Sequence, residues 1–248
     1  MNPGYQYVWL IWSSAFLVPW LLLYWAWPEL RAHMVKVSAA TSLLGLTEPI
    51  FVPQYWNPPS LFDLAQRTGF DIESFIFCFA IGGIGAVLYN ALAHRELRPV
   101  PAVERLSTRH RLHALALMTP YLAFPLLFAL PWNPIYAGIS ALAIGAAATV
   151  SCRRELARKT LFGGLLFLGL YAAFMASLVL FVPGYIEQVW NLPDLSGVVI
   201  AGIPLEELAF GVAFGMYWTW LYEHFTWKHA APRGVPAAFD ASHGSQHG

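Results

Sequence analysis

Long apolar stretches alternate with short polar segments along the chain, and the polar segments hold nearly all of its charges. A helix that crosses a bilayer needs about 20 mostly apolar residues. Apolar runs of that length are expected to be helical, because lipid offers no partner to unpaired backbone groups. The pattern therefore predicts seven membrane-spanning helices, at residues 5–27, 34–52, 71–93, 112–130, 133–150, 160–182 and 198–225.

Composition supports this pattern. Of the 248 residues, 58% are hydrophobic and 11% are charged, whereas a soluble protein has about 25% charged residues. We therefore predict an all-α integral membrane protein. The formal net charge of zero implies no general attraction to nucleic acid. The two cysteines, Cys78 and Cys152, have neither metal-ligand spacing nor the pattern of a disulfide framework, so no metal site is predicted.

The distribution of positive charge predicts the orientation. With seven spans, thirteen of the fourteen Lys and Arg residues fall on one side of the membrane, and Arg67 alone falls on the other. Segments rich in Lys and Arg stay in the cytoplasm. We therefore predict a multi-pass protein of the cytoplasmic membrane, with the N-terminus outside and the C-terminus inside. The N-terminal apolar run has no positive region before it and is interpreted as a span rather than a signal peptide.

An internal repeat relates the two halves of the chain. The motif FVPxY occurs at Phe51–Tyr55 and at Phe181–Tyr185, and each copy is followed by WNxP and then by an acid that opens an apolar helix. Both copies run through the membrane in the same direction, which predicts parallel repeats. The predicted units are a three-helix repeat at 1–94, a basic cytoplasmic loop and connecting helix at 95–130, a second three-helix repeat at 131–226, and a disordered tail at 227–248.

Four acids stand beside apolar helices near the predicted outer face, namely Glu48, Glu73, Glu206 and Glu207. An acid in the first turn of a helix can simply cap free N–H groups, and this interpretation is preferred for Asp71. Ionisable groups inside spans are costly and usually face the bundle interior, which favours a functional role for Glu206. A neutral carboxylic acid beside a carboxylate forms an acid–base pair, and such a pair suits a substrate that prefers lipid.

Aromatic residues make up 16% of the chain, and most of them are expected to serve packing. Phe77 and Phe210 follow two of the acids by one helical turn. Their ring faces could stabilise a carbocation by about 2 kcal/mol when desolvated. Tyr55, Trp56 and Trp190 fall at the outer interface, where aromatic belts are expected. These five residues are the candidates for substrate binding.

The segment Pro204–Phe210, which reads PLEELAF, resembles the PxEE motif of the transmembrane lycopene cyclase domain family. FVPxY, WNxP and the acid-led third helix of each half resemble that family as well, and the likeness covers most of residues 30–226. It implies cyclisation of the ψ-ends of lycopene to β-rings. A proton adds to the terminal double bond, the next double bond attacks the cation, and loss of another proton completes the ring, so the net reaction is an isomerisation.

By this resemblance, Glu206 and Glu207 match the two acids of the motif. In the first half Glu73 matches the first acid, but Ser74 stands where the second would be. Glu48 is the candidate replacement for that missing acid. The resemblance therefore implies catalytic roles for these four carboxyl groups. The missing second acid in the first half puts equal roles for the two halves in doubt.

No cofactor is implied, because Gly82–Gly85 lies within a predicted span and follows no strand, which favours close helix packing over dinucleotide binding. The expected partners are the bilayer and a lipid-soluble polyene. Whether the chain forms a homodimer is left open. A carotenoid hydratase, a cyclase for longer carotenoids, a parallel-repeat transporter and a non-catalytic pigment-binding subunit are open alternatives. A retinal protein is excluded, because Lys36, Lys159 and Lys228 all lie at cytoplasmic helix ends.

Overall fold

The computed structural model describes residues 3–101, 105 and 113–233, most of which are helical. The helices are α1 (Val8–Ala15), α2 (Leu17–Ala26), α3 (Arg31–Ser42), α4 (Glu48–Phe51), α5 (Leu64–Thr68), α6 (Ile72–Leu92), α7 (His113–Phe128), α8 (Pro134–Cys152), α9 (Ala157–Phe181), α10 (Tyr185–Val189) and α11 (Leu205–Phe225). Two small antiparallel sheets pair β1 (Arg95–Pro99) with β4 (Lys228–Pro232) and β2 (Val199–Ile200) with β3 (Ile203–Pro204).

Within the described residues, four helical stretches are long and apolar enough to cross a membrane: Val8–Ala26, Ile72–Leu92, Pro134–Cys152 and Arg154–Phe181. They coincide with the first, third, fifth and sixth predicted spans and confirm a helical membrane protein. Helix α7 is apolar but shorter. Helix α11 has 21 residues, but its three carboxyl groups and its Tyr and Trp residues make it more polar than those four helical stretches. The count of seven crossings therefore stays a prediction.

The second predicted span, 34–52, is not a single α-helix. It consists of α3, a 3₁₀ segment at Leu43–Thr47 and the single turn α4. Pro49 explains the change, because it has no N–H to donate to the carbonyl of Gly45 four residues earlier. As a result, Glu48 stands at the start of a separate turn, where its side chain is buried.

The seventh predicted span begins too early. Residues 198–204, which were predicted to be helical, contain the hairpin of β2 and β3 instead. Ala201 and Gly202 connect these strands with φ angles of 52° and 82°, the conformation that a tight two-residue hairpin turn requires. Helix α11 then begins at Leu205, after Pro204. The prediction is wrong here because a short apolar run fits a strand as well as a helix.

Strands β1 and β4 join the segment after α6 to the segment after α11. Arg95 pairs with Pro232, and Pro99 pairs with Lys228. The prediction of a disordered tail from residue 227 is therefore wrong for Lys228–Pro232. The rest of that tail, residues 234–248, and most of the basic segment 102–112 lie outside the described residues.

Glycines allow close approach between long helices. A Cβ added to Gly82 would lie 2.3 Å from Thr41, and one added to Gly83 would lie 2.2 Å from the Ser38 hydroxyl oxygen. These contacts bring α6 against α3 and confirm the predicted packing role of the glycine cluster. Between α9 and α11, a Cβ added to Gly163 would lie 2.6 Å from Thr219.

A buried polar cluster ties α6, α9 and α11 together. Lys159 Nζ donates to Asn90 Oδ1 at 2.9 Å and also to Glu223 Oε1. Asn90 Nδ2 donates to the same Glu223 oxygen at 2.7 Å. Lys159 is 5% exposed and Glu223 is 1% exposed. Each charge of this pair therefore depends on the other for its stability in the bundle.

Replacing Glu223 by Gln should lower the free energy of unfolding by about 3–5 kcal/mol, because the Lys159 ammonium loses its buried counter-charge. The double variant Lys159→Met/Glu223→Gln should recover most of that loss, since it removes both charges. Thermal unfolding of the purified protein in lipid nanodiscs compares the two variants. Equal destabilisation of the single and the double variant would contradict this role for the ion pair.

Candidate active site

An apolar chamber of about 330 Å³ lies inside the bundle. Aromatic and aliphatic side chains form most of its wall, and Glu48 and Glu207 contribute the carboxyl groups of its lining. The five residues predicted to bind substrate also line it: Tyr55, Trp56, Phe77, Trp190 and Phe210. The fold therefore gathers two of the four predicted acids and all five predicted binding residues around one cavity.

Glu207 is held by three donors from three separate segments. The hydroxyl of Tyr55 donates to Oε1, the hydroxyl of Tyr171 donates to Oε2, and Trp190 Nε1 donates to Oε1 at 2.7 Å. Burial and the Glu207 charge raise the pKa of the Tyr55 hydroxyl well above its usual value, so that it stays a neutral donor. Three hydrogen-bond donors around two carboxyl oxygens form an environment that stabilises the ionised carboxylate.

The two WNxP segments position these donors by pairing with each other. Trp56 and Trp190 form an antiparallel bridge, and their ring centroids lie 5.3 Å apart. Two backbone hydrogen bonds at matching positions flank the bridge, from the Asn57 N–H to the Val189 carbonyl at 2.8 Å and from the Asn191 N–H to the Tyr55 carbonyl at 2.9 Å. This pairing fixes the backbone from which Tyr55 and Trp190 reach Glu207.

Glu48 faces the same chamber with far fewer partners. It is 7% exposed, and its Oε1 has no hydrogen-bond partner among the described residues. The side chains of Ser74 and Trp56 lie beside the carboxyl group, the Ser74 hydroxyl has no hydrogen-bond partner among the described residues, and Asp71 adds negative charge nearby. A buried carboxyl group with so few donors is better accommodated as the neutral acid than as a carboxylate.

The other two predicted acids hold backbone N–H groups and are not part of the chamber lining. Glu206 Oε1 accepts from the Tyr136 hydroxyl at 2.7 Å and from the Ser196 N–H at 2.8 Å. Glu73 Oε1 accepts from the Leu61 N–H at 2.7 Å. Each acid thus binds the loop that precedes its own helix. The fold does not bring Glu73 and Glu206 to the chamber lining, and a catalytic role for them stays a prediction.

Asp71 caps helix α6, as the sequence favoured. Its side chain accepts from the Ser74 N–H in the first turn of that helix. Ser74 occupies the position of the second acid of the motif, and its side chain lies beside the Glu48 carboxyl. Glu48 therefore brings a carboxyl group to the place where the first half lacks one.

Two further polar contacts of the chamber wall were not predicted from the sequence. Tyr171, which donates to Glu207, lies within the apolar run of α9. A phenol in such a run needs a hydrogen-bond partner, and this signal could have identified it. Trp218 Nε1 donates to Thr41 Oγ1 at 3.0 Å. No local pattern in the sequence reveals that contact, because it joins residues that are far apart in the chain.

A family model described as lycopene cyclase matches residues 133–225. The matched segment contains α8, α9 and α11 and includes Glu206 and Glu207. The match confirms the resemblance to a lycopene cyclase domain family. Glu48 and Glu73 precede the matched segment. No curated protein and no solved structure matches the chain.

Tyr171→Phe should lower the free energy of unfolding by about 1.5–3 kcal/mol, because it removes a donor from a buried carboxylate. Tyr121→Phe is the matched control, since Tyr121 also lines the chamber but makes no hydrogen bond to either acid. Its stability should change little. Thermal unfolding in nanodiscs measures both variants, and equal losses would contradict the hydrogen bond from Tyr171 to Glu207.

Proposed function

We propose that this chain, whose residues 133–225 match a family model described as lycopene cyclase, is a lycopene β-cyclase that uses Glu48 and Glu207 as an acid–base pair. The family match supports a cyclase of carotenoid biosynthesis. One observation carries the assignment of the pair: two carboxyl groups with opposite hydrogen-bonding environments face a single apolar chamber. The substrate is a lipid-soluble polyene, and the isomerisation needs neither an oxidant nor a reductant.

In the proposed reaction, Glu48 is the neutral acid and gives its proton to the terminal double bond of one ψ-end. The tertiary cation that results is attacked by the next double bond, which closes a six-membered ring and moves the positive charge to a ring carbon. Glu207, as the carboxylate, then removes a proton from the adjacent ring carbon and leaves the double bond of the β-ring. One proton enters and one leaves. Loss of that proton from Glu207 to solvent and uptake of a solvent proton by Glu48 restore the site.

The aromatic wall supports a cationic intermediate. The ring of Phe210 lies 5.7 Å from that of Tyr171, and the ring of Phe77 lies 5.2 Å from that of Trp9. Ring faces attract a desolvated cation by about 2 kcal/mol. The apolar wall also keeps water away from the cation, which favours proton loss over water addition. The apolar wall therefore favours a cyclase over the hydratase alternative.

We assign positioning roles to Glu206 and Glu73. Glu206 neighbours Glu207 in the chain and holds the Ser196 backbone, so it sets how the first turn of α11 meets the loop before it. Glu73 holds the Leu61 backbone in the corresponding way. Both acids then act through the chamber residues rather than on the polyene itself.

Seven spans in two parallel repeats remain our proposal for the architecture. The matching hydrogen bonds around the bridge between Trp56 and Trp190 support it. So does the shared role of Glu73 and Glu206 in holding the preceding loop. The family match also covers 133–225, which is close to the second predicted repeat at 131–226.

The proposed location is the cytoplasmic membrane, with the N-terminus outside. The concentration of Lys and Arg after the odd-numbered spans supports this orientation. Glu48 and Glu207 would then lie in the outer half of the bilayer, because Glu48 stands near the end of the second predicted span and Glu207 stands near the start of the seventh.

In a lycopene-accumulating bacterium, the wild-type chain should produce cyclic carotenoid. Glu48→Gln and Glu207→Gln should each lower this conversion by about 100-fold or more, because each change removes one member of the acid–base pair. Extraction and chromatography of the pigments measure the conversion. Absence of cyclic product from the wild type would contradict the proposed activity.

Two further variants serve as comparisons. Glu187→Gln changes an exposed acid on α10 and should leave the conversion unchanged. Glu206→Gln should stay within about tenfold of the wild type, because an amide oxygen can still accept from Ser196 and Tyr136. A loss as large as that of Glu207→Gln would assign the chemistry to Glu206 instead, as the motif alone implied.

Cyclisation in D₂O should add one deuterium for each ring formed. The added proton comes from a carboxyl group that exchanges with solvent, whereas the proton lost belongs to the substrate. Mass spectrometry of the purified carotenoid measures this incorporation. A product heavier by the elements of water would favour the hydratase, and a ring without deuterium would contradict protonation by the enzyme.

A further inference from the structure

The chamber reaches the surface of the bundle between the segment Leu43–Phe51 and helix α7. Tyr121 of α7 lines the chamber and is also 46% exposed, so the cavity wall and the outer surface meet at this residue. The surrounding surface is apolar, with Leu43 60%, Leu46 55% and Leu122 53% exposed. In a membrane protein, such a surface faces lipid rather than water.

The contact between these two segments is weak. Phe51 and Phe124 meet with ring centroids 6.4 Å apart, and no hydrogen bond joins the described residues 43–51 to residues 114–128. On its other side, α7 packs tightly. A Cβ added to Gly145 of α8 would lie 2.9 Å from Pro120. Separation at the Phe51–Phe124 contact would therefore disturb far less structure than separation of α7 from α8.

In both segments that form this contact, the helical pattern of backbone hydrogen bonds is interrupted. Pro120 and Pro125 lie inside α7, and each removes one N–H donor from the helix. On the opposite edge, the 3₁₀ segment Leu43–Thr47 and Pro49 interrupt the second predicted span. Segments of this kind bend more easily than a continuous α-helix.

On the basis of the proposed function, we infer that the polyene enters the chamber sideways from the bilayer between Phe51 and Phe124. The contact between Phe51 and Phe124 is then a lateral portal.

A reversible bridge across the portal tests this inference. Phe51→Cys/Phe124→Cys is made in a Cys78→Ala/Cys152→Ala background, and the pair is joined by a bifunctional methanethiosulfonate that a reductant releases. Lycopene-loaded vesicles are added after bridging, and uptake is followed by quenching of Trp fluorescence. Uptake should fall about tenfold or more when the portal is bridged, and reductant should restore it.

Phe124→Cys/Phe128→Cys, treated in the same way, is the matched control. Its bridge joins two residues of α7 whose rings lie 5.8 Å apart and leaves the portal free, so uptake should persist. Equal uptake by bridged and reduced Phe51→Cys/Phe124→Cys would overturn the portal, whatever product forms. Normal uptake without cyclic product would instead refute the proposed chemistry, so that the two failures are distinguishable.

A single substitution covers the case in which the cysteine pair does not fold. Phe124→Trp enlarges a side chain at the portal, whereas Leu126→Trp enlarges a 75% exposed residue on the same helix. Phe124→Trp should slow both binding and release of lycopene, whereas Leu126→Trp should leave both rates near those of the wild type. Identical rates for Phe124→Trp and Leu126→Trp would count against lateral access at this position.

Discussion

The arrangement of the chamber depends on the hydrogen bonds that hold the Glu207 carboxylate. A charge inside an apolar bundle is costly unless donors surround it, and Glu207 receives donors from Tyr55, Tyr171 and Trp190. Trp190 belongs to one of the paired WNxP segments, Tyr55 directly precedes the other, and Tyr171 comes from helix α9. The same contacts that stabilise the charge therefore join distant parts of the chain around one cavity.

In the proposed two-repeat architecture, the two halves contribute differently to the site. In the second half, adjacent acids divide two tasks, because Glu206 holds a loop and Glu207 lines the chamber. In the first half, Glu73 holds the loop, and the lining carboxyl comes from Glu48 on a different segment. Glu48 lacks the donors that surround Glu207. This difference allows one carboxyl to serve as the acid and the other as the base.

Much of this organisation could be predicted from the sequence, because long apolar runs and repeated motifs are local signals. Those signals located four membrane-length helices, the capping role of Asp71 and five of the aromatic residues that line the chamber. They did not distinguish the roles of Glu206 and Glu207, because neighbouring positions on a helix point about 100° apart and only packing decides which one faces a cavity. The hairpin at 198–204 was missed because a short apolar run is compatible with either a strand or a helix.

The proposed chemistry requires Glu48 to be protonated and Glu207 to be ionised before substrate binds, and infrared difference spectroscopy of the substrate-free protein measures both states. Spectra of Glu48→Gln and Glu207→Gln are each subtracted from that of the wild type. Glu48→Gln should remove a protonated carboxyl band, and Glu207→Gln should remove carboxylate bands. Loss of the protonated band in Glu207→Gln, or loss of carboxylate bands in Glu48→Gln, would contradict that chemistry.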